Sequence, residues 1–250
     1  MNSLAQIVTE RLSKTYYDSR RGAIHAAIDI DIACNAGEVF GLLGTNGAGK
    51  TTTLRMLSTV LQPTSGRAWV AGFEISENPQ AIRERIGFLS SDTGIYGRLT
   101  AREMMRYFGQ LCGMPREAIE RRVEEISARF GMKEFLDSRC ERLSSGQRQK
   151  ISIGRTIIHD PPVLILDEPT AGLDVLAAAE IVRFIRQARS EGRCILLSTH
   201  IMREAEKLCD RIAILHEGRI QACGTLEQLY QTMQTTDLEE VFMRVVGVAV

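Results

Sequence analysis

Val39-Phe40-Gly41-Leu42-Leu43-Gly44-Thr45-Asn46-Gly47-Ala48-Gly49-Lys50-Thr51-Thr52 is the stretch whose reading decides the fold. Residues 39–44 are a short, continuous apolar run that breaks at glycine, the pattern of a central strand buried on both faces. From Gly49 onward the pattern turns helical, with Leu54, Leu57 and Leu61 on or near one face. Between strand and helix, Gly44–Thr51 fits G-x-x-x-x-G-K-[ST]. Glycines at 44, 47 and 49 let backbone N–H groups turn inward around phosphate oxygens, and the helix aims its positive end at them. Lys50 would reach the β- and γ-phosphates, and the Thr51 hydroxyl would ligate Mg²⁺. Asn46 and Thr52 belong to the same candidate binding set. Four fixed positions would coincide by chance in roughly one chain per hundred of this length, and the strand–loop–helix context makes chance rarer still.

A second element, Val163-Leu164-Ile165-Leu166-Asp167-Glu168-Pro169-Thr170, is an apolar strand ending in two acids. Asp167 is placed to hold Mg²⁺ directly or through water. Glu168 is the candidate general base for an attacking water.

Composition bounds the rest. The 250 residues suit one large α/β domain or two small ones. Lys plus Arg number 31 and Asp plus Glu 31, so nothing in the net charge draws nucleic acid or anionic lipid. No uncharged apolar run approaches the roughly 20 residues of a membrane span, and the first residues lack a signal-peptide core. The chain is expected in the cytosol unless a partner carries it to a membrane. Six scattered cysteines, without a C-x-x-C pair, read as reduced, mostly buried thiols.

Residues 4–11 and 23–34 alternate, at least in part, as half-buried antiparallel strands do. Residues 67–72 read as a further edge strand of that part, and 85–90 as a core strand. The texture changes over 98–158, which holds two amphipathic helices and a third over 147–160. In the second, Ile119, Val123, Ile126 and Phe130 share a face. Alternation then resumes: a strand at 163–168, a helix at 175–190, a strand at 194–199, a helix near 201–209 and a hairpin over 211–220. The expected fold class is therefore α/β: a P-loop NTPase core with an antiparallel β subdomain and an inserted helical subdomain. The core takes 1–97 and 159–228, the helical part 98–158, and a helical tail 229–250.

Further motifs resemble those of the ABC cassette family, over residues 4 to about 228. Leu143-Ser144-Ser145-Gly146-Gln147 resembles its LSGGQ signature, with Ser145 in place of the first glycine. Ala171-Gly172-Leu173-Asp174 resembles the D-loop, His200 the switch histidine, and Tyr16 the aromatic that stacks on adenine. The resemblance implies two cassettes facing head to tail around two ATP molecules. Lys50 of one would bind the phosphates; Ser144, Gly146 and Gln147 of the other would close over the γ-phosphate, with Asp174 alongside. ATP binding would drive closure and hydrolysis would permit reopening. On the residues alone, Ser144 or Ser145 also suits a plain helix N-cap.

One position departs from the family. Its usual glutamine after the strand at 85–90 is here Ser91, followed by Asp92; either substitutes at Mg²⁺ or the contact is missing. Residues 44–57, 93–103 and 237–242 most resemble sodium-extruding and related drug-export cassettes. The expected partners are thus ATP, a second ATP-binding subunit and a separate transmembrane permease, at the cytoplasmic face of the membrane, and no nucleic acid. An importer ATPase and a non-transport ABC ATPase are the alternatives. Among Ile95, Tyr96, Met104, Met105 and Tyr107, some are expected to stay exposed as a groove for a short helix of the permease.

Overall fold

The computed structural model describes residues 5–20, 22–90 and 94–247. The antiparallel sheet comprises β1 (Ala5–Asp18), β2 (Gly22–Ile30), β3 (Ala33–Asn35), β5 (Ser65–Val70) and β6 (Phe73–Glu74), with β1 paired to β2, β3 and β5. Three sequence expectations change here. The strand at 4–11 continues to Asp18 through register shifts near Leu12 and Lys14, where Arg11 adopts a left-handed φ of 47°. The expected strand at 23–34 is two, because Asp29 is also left-handed and the chain turns off at Asp31-Ile32. Residues 65–70 are flanked by β1 and β6, so β6 and not β5 lies at the edge.

The second sheet holds β4 (Val39–Leu43), β7 (Ile86–Leu89), β8 (Val163–Asp167), β9 (Cys194–Thr199), β10 (Arg211–His216) and β11 (Arg219–Gly224). Its order is β11-β10-β4-β9-β8-β7, parallel except for the antiparallel β11. Alternate side chains enter two different cores. Val39, Leu43, Leu164, Leu166, Ile195 and Leu197 face one, while Phe40, Leu42, Val163, Ile165 and Leu196 face the other. That double burial is why these strands read as continuous apolar runs.

Helices α1 (Lys50–Leu57) and α2 (Pro79–Arg83) precede the helical block of α3 (Ala101–Leu111), α4 (Arg116–Arg129) and α5 (Ser145–Thr156). Thr100 and Glu103 close a capping box on α3. Ile119, Val123, Ile126 and Phe130 are buried together, as their spacing indicates. Helix α5 begins two residues earlier than expected because Ser144 caps it. At its other end Arg155 is buried, donates from Nη1 to the Gly94 carbonyl at 3.1 Å and stacks over Phe108. The chain closes with α6 (Val175–Ser190), α7 (Met202–Leu208), α8 (Leu226–Met233) and α9 (Leu238–Val245). Among the described residues no helix is long and apolar enough to cross a membrane, and all six cysteines are free.

Ile165 is fully buried in the middle of β8. Ile165→Ala should cost about 2–5 kcal/mol in urea unfolding, from lost burial plus the cavity left behind. Leu176→Ala, at a side chain 80% exposed, should stay within about 0.5 kcal/mol. Equal midpoints for the two variants would contradict the packing described.

Candidate nucleotide site

The site forms where β4, β9 and β8 end. Thr199 lies opposite Leu43, and Ser198 opposite Asp167, so three sequence-distant segments stop side by side. The loop after β4 is tightly held. Gly49 has φ 105°, and a Cβ there would run into the Ala26 carbonyl oxygen of β2. A Cβ on Gly44 would lie 2.6 Å from the Leu215 carbonyl oxygen. Gly218, in the turn between β10 and β11, donates to Ala48 O at 3.0 Å and accepts from Ile28 N at 2.7 Å, tying loop, turn and β2 together. No pattern in the sequence marks that clamp, because its contacts are main-chain ones. Asn46 and Gly47 lie exposed at the loop's tip, and Thr52 is half-buried in the first turn of α1.

Lys50 is buried, yet its ammonium is satisfied. Nζ donates to the carbonyls of Gly44 at 2.8 Å and Thr45 at 3.2 Å, and stands 3.4 Å from Glu168 Oε1. Thr51 Oγ1 donates to Asp167 Oδ1 at 3.2 Å. His200 Nδ1 meets Glu168 Oε1 at 3.2 Å. One carboxylate oxygen of Glu168 is therefore shared by the loop lysine and the histidine. Glu168 is held there by its backbone: φ is +48°, a left-handed conformation costing about 1–3 kcal/mol. Its N–H is anchored on Ser198 O at 3.2 Å and Ser198 Oγ at 3.0 Å. Ser198 Oγ in turn donates to Asp167 Oδ1 at 2.6 Å.

Sequence reasoning missed this hydroxyl layer. Thr199 Oγ1 donates to Glu204 Oε2 at 2.6 Å, and Thr170 Oγ1 donates to the other oxygen of the same buried carboxylate. The one signal available was that the apolar run of β9 ends in Ser198-Thr199 beside the acids of β8.

Other candidates stand apart from this cluster. Ser144 Oγ accepts from Gln147 N at 3.2 Å while Gln147 Oε1 accepts from Ser144 N at 3.0 Å, so both complete the cap of α5. Asp174 Oδ1 accepts from Leu176 N and Ala177 N and caps α6. A Cβ on Gly146 would lie 3.1 Å from Ala177 Cβ, which sets the start of α5 against the start of α6. A cavity of about 410 Å³ opens between Ser145, Gln149 and Ser152 on α5 and Ala171–Leu173. Tyr16 is part-exposed on β1 opposite Ile24, with the Lys14 ammonium 5.5 Å from its ring centre. Ser91 and Asp92 lie outside the described residues.

A phosphate-binding loop after a parallel strand, with an acid pair ending a neighbouring strand, defines a P-loop nucleotide-binding protein. Comparison with known proteins narrows the class. A family model described as ABC transporter matches residues 28–171. The ABC transporter ATP-binding protein NatA of Bacillus subtilis is 41% identical over 92% of this chain and 94% of its own. The probable multidrug ABC transporter ATP-binding protein YbhF of Escherichia coli is 35% identical over 83% of this chain, which spans only 36% of it. A solved ATP-binding subunit of an ABC transporter superposes with a TM-score of 0.86 at 29% identity, covering 96% of this chain and 99% of that one. The chain belongs to the ABC transporter family, as one of its ATP-binding and ATP-hydrolysing cassettes.

Gly49→Ala should weaken ATP binding at least about tenfold in a fluorescent-nucleotide titration, because a side chain strains a left-handed residue and displaces the β2 carbonyl. Unchanged affinity would show that the loop does not depend on this close approach.

Proposed function

We propose that this chain binds ATP with Mg²⁺ at Gly44–Thr51 and hydrolyses it as a head-to-tail pair with a second ATP-binding subunit. The pair would drive export through a separate membrane-spanning subunit. The observation that carries the reading is the Glu168 oxygen lying 3.4 Å from Lys50 Nζ and 3.2 Å from His200 Nδ1. Lys50 would pair with the β- and γ-phosphates, its ammonium positioned by the Gly44 and Thr45 carbonyls. Glu168 would take the proton of the water that attacks the γ-phosphate, and His200 would hold that carboxylate toward it. Tyr16 would stack on the adenine, with Gly44, Asn46, Gly47, Gly49 and Thr52 around the phosphates. Thr51 Oγ1 and Asp167 Oδ1, 3.2 Å apart, are two hard oxygen donors beside the loop, a set that fits Mg²⁺. When bound, that ion would neutralise charge on the phosphates. Asp92 is a third candidate ligand by sequence alone.

Two features support pairing. Ser144 and Ser145 are exposed at the start of the 12-residue α5, presenting a helix N-terminus to an anion that a facing subunit would supply. Leu176, beside Asp174, is 80% exposed, an apolar side chain suited to burial against a second copy. For the membrane subunit, the five side chains singled out in the sequence divide. Met104 and Met105 are core residues; Tyr96 and Tyr107 remain exposed, edge to face at 5.9 Å. Their neighbour Phe108 borders an apolar cavity of about 230 Å³ with Val60 and Phe88, the surface proposed for a short helix of the permease. Export of sodium or of drugs follows the resemblance. The chain would then act at the cytoplasmic face of the membrane.

Glu168→Gln should retain ATP affinity, hydrolyse about 10²–10⁴-fold more slowly and accumulate as an ATP-bound dimer in size-exclusion chromatography. Wild-type turnover in that variant would remove Glu168 as the base. Gly146→Asp should abolish hydrolysis while monomer affinity for ATP persists, since it sets a negative charge at a helix end meant for phosphate. Equal loss of monomer affinity would assign the motif to its own chain's fold.

A further inference from the structure

Helices α6 and α7 flank an open groove of about 740 Å³ that borders the nucleotide site at Thr170 and Glu204 and extends away from it along α6. That volume lies in the range of small-molecule sites. Its lining is sorted along its length. Val175, Ala178, Ala179 and Val182 line it along the first half of α6, with Leu173 just before that helix and Ile201 just before α7. Arg183 and Arg186 line it further along α6, and Arg203 and Lys207 from α7. Positions 175, 178, 179, 182, 183 and 186 follow helical spacing, so one continuous stripe of α6 passes from apolar to cationic. Arg186 Nη2 donates to Lys207 O at 3.2 Å, which brings the cationic part of α6 against the end of α7.

None of the four cations makes an ion pair among the described residues, whereas Arg102, Arg106, Arg122 and Lys150 of the helical block all do. The single carboxylate in the lining, Glu204, has both oxygens occupied by Thr170 and Thr199. Four cations thus face one committed carboxylate. Helix dipoles favour a cation in each last turn, but do not require four to converge on one groove with an apolar floor.

We propose that this groove binds a single-chain anionic amphiphile free in solution, its acidic head among Arg183, Arg186, Arg203 and Lys207 and its chain along Val182, Ala178 and Ile201. The stretch from Val175 to Arg186 spans about 16 Å of helix, the length of an extended chain of about ten carbons with its head group. The groove reaches Thr170 and Leu173, between Glu168 and Asp174, so an occupant lies against the segment that leads from the acid pair to α6.

The probe is decyl phosphate below its micelle concentration, titrated calorimetrically into the full chain, with decanol as the uncharged control. Wild type should bind one equivalent saturably. Arg183→Gln with Lys207→Gln should weaken binding at least about tenfold by removing two charge-assisted contacts. Ala179→Trp should abolish it by filling the groove with charge unchanged. All three positions are exposed, so the fold tolerates the changes. Decanol should bind at least about tenfold more weakly than decyl phosphate. The proposal is overturned by absence of saturable binding, by equal affinity in the double variant, by equal affinity for decanol, or by binding that appears only with micelles or vesicles.

Discussion

Leu43 opposite Thr199, and Asp167 opposite Ser198, place the ends of β4, β9 and β8 on one line. Everything chemical in the protein depends on that alignment. The end of β4 lies more than a hundred residues before the other two in sequence, and parallel pairing brings all three within reach of one another's side chains. Helical crossovers are what parallel pairing demands, so the α/β layering and the site follow from one constraint. β9 lies between the other two strands: its Thr199 carbonyl accepts from Gly44 N at 3.4 Å on the loop side, while Ser198 Oγ and the following His200 meet the acids. A one-residue slip of β9 would send Ser198 to the opposite face and leave Asp167 and the Glu168 N–H without their shared anchor.

Charge at the site is held by geometry. Lys50 is nearly inaccessible, a placement that would be costly for an unpaired ammonium. Two carbonyls of its own loop and the Glu168 carboxylate offset that cost. Glycines at 44 and 49 let the Leu215 and Ala26 carbonyls close on the same loop where a Cβ would collide with them. Glu168 is directed by a left-handed φ that Ser198 stabilises through the amide nitrogen. The loop and the acid pair are thus two halves of one electrostatic unit, each strained or crowded where the other compensates.

Much of this was legible in the sequence, and for identifiable reasons. Residues 39–44, 163–168 and 194–199 show continuous apolar runs because both their faces are buried, and the helix at 175–190 matches the structure at both ends. The antiparallel sheet was less legible. Glu10, Arg11 and Lys14 interrupt the alternation of β1 because that strand is irregular and part-exposed there. Which strand lies beside residues 65–70 is a long-range fact that local pattern does not carry. In the site, Lys50, Thr51, Asp167, Glu168 and His200 converge as the motifs indicated. Ser198, Thr199 and Glu204 did not announce themselves, since a hydroxyl at a strand end is ordinary in sequence and acquires meaning only from register. Ser144 was readable both as part of a signature and as a cap, and the single chain displays the cap, with Gln147 completing it.

Helix α5 connects two distant places. Its Ser144 cap faces solvent beside the start of α6, and near its other end Arg155 holds the Gly94 carbonyl next to Phe108. A helix of that length is a rod of about 18 Å that transmits push and twist with little loss. Its far end is a buried guanidinium, bonded and stacked, and not a sliding apolar contact. The Ser144 cap and the segment at Gly94 thus share one support, a single helix fixed at its far end by a hydrogen bond and a stacked ring.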